Sequence, residues 1–343
     1  MPEGGVTRTK HCLALLLCAF TAYGHAEPRK TEVRPVATAA KPMLKVAKPA
    51  AKPAATAKAA KAVPRAAARP AKNVRVVRRA GPPLPEPFNP DVLDLQSTAA
   101  LVVNLQSGDV VYNKNITAVS PIASITKLMT AMVVLDSKLP LDEHIALTEE
   151  DIDHVKHTGS RLQIGTVLTR DEMLRLALMS SENRAASALA RAYPGGMAAF
   201  VREMNLKAIS LDMMQSAFVD GTGLSSGNVS TAQDLAKMVT AAYQYPLIRQ
   251  YSTGNGYAVQ TISGRTLEFR NTNALIPSPD WNIELSKTGY IREAGRCLVM
   301  QSVIAGAPVV IVLLDSWGRL SRSGDANRIK KWIEYHAGRM HVG

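Results

Sequence analysis

A serine and a lysine three positions apart, Ser124 and Lys127, open an apolar segment with the sequence SITKLMT. Residues at i and i+3 of a helix lie on the same face, so the two side chains are expected to be neighbours. A serine hydroxyl is a weak nucleophile until a base removes its proton. A lysine amine is such a base when burial and nearby positive charge lower its pKa. Free N–H groups at a helix amino terminus also stabilise a developing oxyanion, but the pair by itself is a weak signal.

Two further motifs strengthen this prediction. Ser181-Glu182-Asn183 interrupts an apolar helical stretch 57 residues after Ser124, and Lys287-Thr288-Gly289 lies 106 residues beyond Ser181 at the end of a predicted strand. A second Ser-x-Asn, Ser226-Gly227-Asn228, lies in the glycine-rich segment DGTGLSSGN and predicts a turn.

The elements that must position these motifs alternate between helical and strand patterns. TAALVVNL and VVYNKN flank QSGD and predict a hairpin. TRDEMLRLALMSSEN predicts a helix with Thr169 as its N-cap and Asp171 and Glu172 in its first turn, and AASALARAY predicts the next helix. STAQDLAKMVTAAYQ is helical after Ser230, and GDANRIKKWIEYHAG predicts the closing helix. Late strands are predicted from ELSKTGY, RCLVMQSVIAG and PVVIVLLDS, whereas LTEEDIDHVKHTGSRLQIGT is loop-rich.

Together, Ser-x-x-Lys, Ser-x-Asn and Lys-Thr-Gly resemble the active-site signature of penicillin-binding proteins and serine β-lactamases. Over roughly residues 95–338 the chain is similar to low-molecular-mass penicillin-binding proteins of the D-alanyl-D-alanine peptidase family. The segments PIASITKLMTAMVVLD, MSSENRAASALA, FVREMNLKAISLDM, FVDGTGL and STAQDLAKM occur in family order. The resemblance implies an α/β (α+β) fold, with an antiparallel sheet flanked by helices, a mainly helical subdomain and the active site at their junction.

The resemblance also assigns roles at the serine and lysine motifs. Ser124 would be acylated by a D-alanyl carbonyl, with Lys127 as the general base. Ser181 would relay a proton to the departing amine. Asn183 would hydrogen-bond the substrate amide.

The third motif is implied to bind the rest of the substrate. Lys287 and Thr288 would hold the carboxylate beyond the scissile bond. Gly289 would let a peptide approach the strand edge. The backbone N–H groups of Ser124 and Tyr290 would form the oxyanion hole, and no metal or cofactor is implied.

Within the family, the chain most resembles the periplasmic D-alanyl-D-alanine endopeptidases. Only 54 residues follow Gly289, too few for the extra β-rich domain and membrane anchor of the larger carboxypeptidases. We therefore expect hydrolysis of D-alanyl cross-links in peptidoglycan muropeptides, with β-lactams as covalent inhibitors. A carboxypeptidase that releases the terminal D-alanine is the first alternative, and an inactive wall-binding protein is a further one.

Two departures from the family pattern concern the second and third motifs. Glu182 stands where an aspartate is frequent, although that side chain has no direct chemical role. Tyr290 is bulkier than the small residues common after Lys-Thr-Gly. The absence of a Glu-x-x-Leu-Asn segment between the first two motifs disfavours a β-lactamase.

The amino terminus predicts export. Arg8 and Lys10 precede an apolar run, and cleavage after Ala26 would define a signal peptide over residues 1–26, so we expect a periplasmic or cell-wall location. Lipidation of Cys18 is a disfavoured alternative because the bulky Leu17 precedes it. No later segment has the apolar length of a transmembrane helix.

The second region, residues 27–88, predicts a disordered basic linker before a catalytic domain over residues 89–343. Residues 29–80 contain fifteen Lys or Arg against the single acidic residue Glu32, whereas the whole chain carries +13. Their prolines and like charges favour an extended segment. Such a segment is either a solvated spacer or an electrostatic contact to anionic wall or membrane material; export argues against nucleic acid.

The histidines and cysteines give weaker indications of a functional site. His154 and His157 have helical metal-ligand spacing, but no third ligand completes a site, so a solvated surface is favoured. Of the three cysteines, Cys297 alone lies beyond the signal segment, in an apolar strand where a core thiol is expected.

The charge of residues 29–80 leads to the first prediction. Binding of the mature chain to isolated sacculi or anionic vesicles, measured by sedimentation, should fall steeply with salt, because exposed charges are screened over about 8 Å at physiological ionic strength. The rate of Ser124 acylation by soluble penicillin should not fall with salt. A chain beginning at Pro82 should keep its acylation rate and lose the salt-sensitive binding. Equal binding by the shorter chain would show that residues 29–80 act only as a spacer.

Overall fold

The computed structural model describes residues 92–261, 264–318 and 320–340, without the side chains of 338–340. The expected signal peptide and basic linker therefore lie outside the described residues, as do the first residues of the expected catalytic domain. The described strands are β1 Ser97–Asn104, β2 Val110–Lys114, β3 Ser120–Pro121, β4 His144–Ala146, β5 Val167–Thr169, β6 Val229–Ser230, β7 Gly256–Gln260, β8 Thr266–Arg270, β9 Asn282–Ile291, β10 Gly295–Ile304 and β11 Ala307–Ser316. The helices are α1 Thr126–Asp136, α2 Arg170–Met179, α3 Asn183–Arg191, α4 Gly196–Ser210, α5 Ala232–Tyr243, α6 Pro246–Ser252 and α7 Ser321–Met340.

Five long strands form one antiparallel sheet in the order β2-β1-β11-β10-β9. β11 is the central strand and pairs with β1, so the first and last parts of the domain are joined across 219 residues of sequence. β9 is an edge strand and carries the Lys-Thr-Gly motif. The predicted fold class, an antiparallel sheet with flanking helices, is confirmed.

The sheet is buried on both faces, so its central strands are apolar at nearly every position. Val310, Val312 and Leu314 of β11 pack with helices α1 to α6 in one core. Val309, Ile311 and Leu313 pack against α7 in a second core. This division follows from the two-residue alternation of side chains along a strand.

Most helices and strands follow their sequence signals. Thr169 caps α2, with its Oγ1 accepting from Glu172 N at 3.2 Å, and the helix ends at Met179 so that Ser181 lies in a gap before α3. Helices α4 and α6 and the β7–β8 hairpin were not predicted from local sequence patterns. Among the described residues, every helix is too short or too polar to cross a lipid bilayer.

The carboxylate of Asp325 fastens α7 to the first strand. It is fully buried, and it accepts from Gln96 N at 3.0 Å, Ser97 N at 2.8 Å and Ser97 Oγ at 2.5 Å. Arg328, one turn further along α7, pairs with the same carboxylate. Hydrogen bonds to a buried charge are strong, and removing one partner leaves the others unsatisfied.

We therefore expect Asp325→Ala to lower the free energy of unfolding by about 3 kcal/mol, because four donors lose a buried acceptor. Urea unfolding followed by circular dichroism would measure the change. Glu334→Ala is the matched control on the same helix, since it removes only an exposed pair with Lys330 and should cost less than about 0.5 kcal/mol. Equal losses for both variants would contradict the anchoring role.

Candidate active site

Ser124 lies in a 3₁₀ turn, Ala123–Ile125, that runs directly into α1. The expected helical neighbourhood of Ser124 and Lys127 is therefore present, with the serine on the tighter turn rather than on the α-helix itself. The residues before and after Ser124 are fully buried, and so is most of α1. A serine on a rigid, buried helix start has little freedom to leave its position.

Lys127 is fully buried and has three oxygen neighbours. Its Nζ donates to Ser124 Oγ at 2.9 Å, to Asn183 Oδ1 at 2.8 Å and to the Thr222 carbonyl at 2.6 Å. An ammonium has three protons, which matches these three acceptors. When the amine is neutral, one contact must reverse, and only the serine hydroxyl has a proton to donate. Deprotonation of Lys127 therefore aligns the Ser124 O–H with the amine lone pair.

Burial also makes this deprotonation accessible near neutral pH. Desolvation lowers the pKa of Lys127 to about 7, and the more distant carboxylates of Asp220, Glu182 and Asp153 oppose the shift. A base with a pKa near the working pH combines a large neutral fraction with useful basicity. The arrangement can thus perform the general-base step predicted for the pair.

The loop of residues 220–225 supplies the third oxygen of Lys127. Asp220 organises this loop by accepting from Thr222 N, Gly223 N and Ser225 N at 2.7, 2.7 and 3.0 Å. Gly223 has φ +80°, and a Cβ there would lie 2.0 Å from the Ala123 carbonyl oxygen. Only glycine fits between the loop and the Ser124 turn. The segment FVDGTGL carries the family resemblance, but its sequence indicates no role for Thr222 or Gly223.

Ser181 lies in the gap between α2 and α3 in a left-handed conformation, with φ +60°. Its Oγ accepts from Lys287 Nζ at 2.9 Å. Residues of this conformation other than glycine are strained and persist where the surroundings hold them. The gap thus brings the second motif to the third across 106 residues of sequence.

Lys287 is buried, and two other basic side chains, Lys127 and Arg322, are near it. Burial, with Lys127 and Arg322 as the nearby cations, holds the pKa of Lys287 well below its usual value. Arg322 of α7 donates to the carbonyl of Gly289 on the same strand at 3.0 Å and to that of Cys297 on the neighbouring strand β10 at 3.3 Å. An incoming carboxylate would relieve this clustering of positive charge. Thr288 Oγ1 shares a hydrogen bond of 2.6 Å with Thr272 Oγ1.

Gly289 lies against the nucleophile turn. A Cβ at this position would come within 2.9 Å of the Ile122 carbonyl oxygen and 3.2 Å of Ser124 N. The structure therefore requires glycine here for contact between β9 and the turn, in addition to the expected approach of a peptide. Tyr290 follows Gly289 directly on the edge strand, and the oxyanion hole formed by the N–H groups of Ser124 and Tyr290 stays a prediction.

Asn183 is fixed in one orientation by contacts at both ends of its amide. Its Oδ1 accepts from Lys127, and its Nδ2 donates to Thr158 Oγ1 at 3.0 Å. The second Nδ2 proton is available for a substrate carbonyl. Thr158 belongs to the loop-rich segment and donates in turn to Asp153 Oδ2 at 2.7 Å, a support that sequence spacing did not indicate.

The structure brings together Ser124, Lys127, Ser181, Asn183 and the Lys-Thr-Gly strand, and it separates the other candidates. Ser226-Gly227-Asn228 forms the predicted turn, with Asn228 Nδ2 donating to Asp220 Oδ2 at 2.8 Å. Cys297 is buried, and burial raises the pKa of its thiol to about 11.

The two histidines do not form a helical pair, since His154 and His157 lie on an irregular loop. Within residues 92–261, 264–318 and 320–340, no three His, Cys, Asp or Glu side chains are grouped to hold a metal ion.

A serine with a buried lysine base, at the junction of an antiparallel sheet and a helical region, defines a serine acyl-transfer enzyme of the penicillin-binding type. The chain belongs to the peptidase S11 family, described as D-alanyl-D-alanine carboxypeptidase, whose profile matches residues 86–317. The predicted membership in the D-alanyl-D-alanine peptidase family is confirmed.

Relatives in other bacteria share most of the chain. It is 49% identical over 259 residues to a D-alanyl-D-alanine endopeptidase of Pseudomonas aeruginosa, covering 74% of this chain and 82% of that protein. It is 48% identical over 242 residues to a D-alanyl-D-alanine endopeptidase of Escherichia coli, covering 70% and 78%.

Solved structures of the same type superpose on the fold. The Streptomyces K15 DD-transpeptidase matches with a TM-score of 0.65 and 27% identity, covering 70% of this chain and 97% of that one. The ampicillin-bound penicillin-binding protein D2 of Listeria monocytogenes matches with a TM-score of 0.60 and 29% identity, covering 70% and 98%.

The environment of Lys127 predicts how acylation depends on pH. Because the neutral amine is the base and its pKa is about 7, the second-order rate of Ser124 acylation by penicillin should rise about tenfold per pH unit below that value and level off above it. Stopped-flow measurement of fluorescent penicillin labelling across pH would show this. Lys127→Ala should lower the plateau by roughly 10² or more. A wild-type rate that is flat from about pH 5 to about pH 8 would contradict the assignment.

Proposed function

We propose that this enzyme hydrolyses D-alanyl cross-links of peptidoglycan through an acyl-enzyme at Ser124, as a D-alanyl-D-alanine endopeptidase. The observation that carries the proposal is the contact between Ser124 Oγ and Nζ of the fully buried Lys127, which also donates to Asn183. The endopeptidases of Pseudomonas aeruginosa and Escherichia coli, at 49% and 48% identity, favour the cross-link as substrate.

Acylation begins with transfer of the Ser124 proton to neutral Lys127 as Oγ attacks the D-alanyl carbonyl carbon. The backbone N–H groups of Ser124 and Tyr290 stabilise the oxyanion, and Asn183 Nδ2 donates to the substrate amide. The proton that Lys127 accepted passes through Ser181 to the departing amine as the C–N bond breaks, which returns Lys127 to its neutral form; Ser181 Oγ is held by a hydrogen bond of 2.9 Å from Lys287 Nζ. Lys287 and Thr288 hold the carboxylate of the leaving group, and water then releases the acyl group from Ser124.

Covalent inhibition by β-lactams follows from the same acylation step. The ampicillin-bound Listeria monocytogenes protein shares this fold at 29% identity and supports it. Action on peptidoglycan, together with the signal pattern of residues 1–26, favours a periplasmic or cell-wall location.

A D-alanyl-D-alanine carboxypeptidase is the second candidate, because the family profile has that description and a Streptomyces relative of 30% identity is a carboxypeptidase. The two activities share the acyl-enzyme and differ in the leaving group. Digestion of purified cross-linked and uncross-linked muropeptides, with product analysis by mass spectrometry, separates them. Cleavage of the cross-link supports the proposal, whereas release of D-alanine alone replaces it with the second candidate.

The serine assignments are tested by substitution. Ser124→Ala should abolish both penicillin labelling and peptide cleavage while the thermal transition is retained, because it removes one hydroxyl from an otherwise intact site. Retained covalent labelling would disprove the nucleophile.

The two Ser-x-Asn motifs provide a matched pair for the proton-relay step. Ser181→Ala should lower peptide cleavage by roughly 10² or more, the scale of a lost acid–base group. Ser226→Ala, at the exposed turn of the second motif, should leave cleavage unchanged. Steady-state rates on a cross-linked muropeptide measure both, and equal effects would contradict the relay role of Ser181.

A further inference from the structure

The side chain of Tyr290 is unusually exposed for its strand. Tyr290 is 58% exposed, although the five residues before it on β9 are buried. It is the residue that departs from the small side chains expected after Lys-Thr-Gly. An exposed ring directly beside a proposed oxyanion hole is in reach of any bound substrate.

The position of this ring relative to the substrate follows from strand geometry. Side chains two residues apart on a strand lie on the same face, so Tyr290 follows Thr288 on that face at about 7 Å along the strand. Thr288 is the residue proposed to hold the carboxylate of the leaving group. The ring of Tyr290 therefore borders the side on which the leaving group departs.

Arg296 lies against this ring. It is the cross-strand partner of Tyr290 on β10, and its guanidinium carbon is 4.8 Å from the ring centroid. Stacking on an aromatic face orients a guanidinium and leaves its N–H groups free for a planar anion. The Tyr290–Arg296 pair thus presents an oriented cation at the surface.

Within the described part of the chain, Arg296 forms no ion pair, and its guanidinium lies over the Tyr290 ring. A second cation, Arg322, is close enough that its pKa is lowered by burial and by the charge of Arg296. Two neighbouring arginines make a favourable site for an anion.

We infer that the Tyr290–Arg296 pair binds a second carboxylate of the leaving group and thereby selects a leaving peptide over free D-alanine. This inference rests on the proposed endopeptidase function. Free D-alanine has one carboxylate, which Lys287 and Thr288 hold. A leaving stem peptide carries at least one more carboxylate, and the Tyr290–Arg296 pair lies where that carboxylate can contact Arg296. Arg296 is then a specificity-determining residue of the primed side.

Two synthetic cross-linked peptides test this role. They differ only in whether the additional carboxylates of the leaving peptide are free or amidated, with the carboxylate next to the scissile bond kept in both. The full mature enzyme should cleave the free form with a kcat/KM about tenfold higher, the scale of one charge-assisted contact. Arg296→Met should remove this preference, and Arg296→Lys should retain part of it, because it keeps the charge without the planar fork.

Arg292→Met is the matched control. Arg292 is exposed on the turn after β9, and its substitution removes the same charge while leaving the stack of Arg296 on Tyr290 in place. This variant should keep the full preference for the peptide with free carboxylates. A preference that came only from the general surface potential would fall equally in Arg296→Met and Arg292→Met. Penicillin labelling of each variant reports a folded, reactive Ser124 independently of the leaving peptide.

The outcomes separate this inference from the proposed function. Cleavage of both peptides at equal rates by the wild type would overturn the role of Arg296 and leave the endopeptidase function intact. A preference that persists in Arg296→Met, or disappears equally in Arg292→Met, would also overturn it. Cleavage of neither peptide, with D-alanine still released from an uncross-linked peptide, would overturn both.

Discussion

The burial of one lysine amine is the constraint on which the site depends. Lys127 has no solvent to stabilise its charge, so three protein oxygens must take that place, and they come from Ser124, Asn183 and Thr222. These oxygens belong to three segments that are distant in sequence. The same desolvation that destabilises the charged amine lowers the pKa of Lys127 to about 7, so the amine can act as a base.

Bringing three segments to one amine forces the backbone into close and strained arrangements. Ala123 and Ser181 have left-handed conformations, and Gly223 and Gly289 lie where a side chain would collide with the nucleophile turn. The two cores make this possible, because the buried sheet and the largely buried α1 fix both sides of the junction. Strain at such positions is held by the packing around it and keeps the reacting groups in register.

Basic side chains cluster near the nucleophile. Lys287 is near Lys127 and Arg322, and Arg322 is in turn near Arg296, which stacks on the ring of Tyr290. Burial and the neighbouring positive charges lower the pKa values of Lys287 and Arg322, so a substrate that brings carboxylates favours their charged forms. The polarity of the site thus complements the anionic end of a D-alanyl peptide.

The sequence by itself determined the three motifs, their order and the residues of each, together with the late strands, the α2 cap and the turn at Ser226-Gly227-Asn228. These are local signals, since a cap, a turn or a two-residue alternation is complete within a few residues. It did not indicate the carbonyl of Thr222, the support of Asn183 by Thr158, the anchoring of α7 by Asp325 or the stacking of Arg296 on Tyr290. Only the tertiary structure decided these, because each joins segments whose approach is set by the packing of the whole sheet rather than by their own residues.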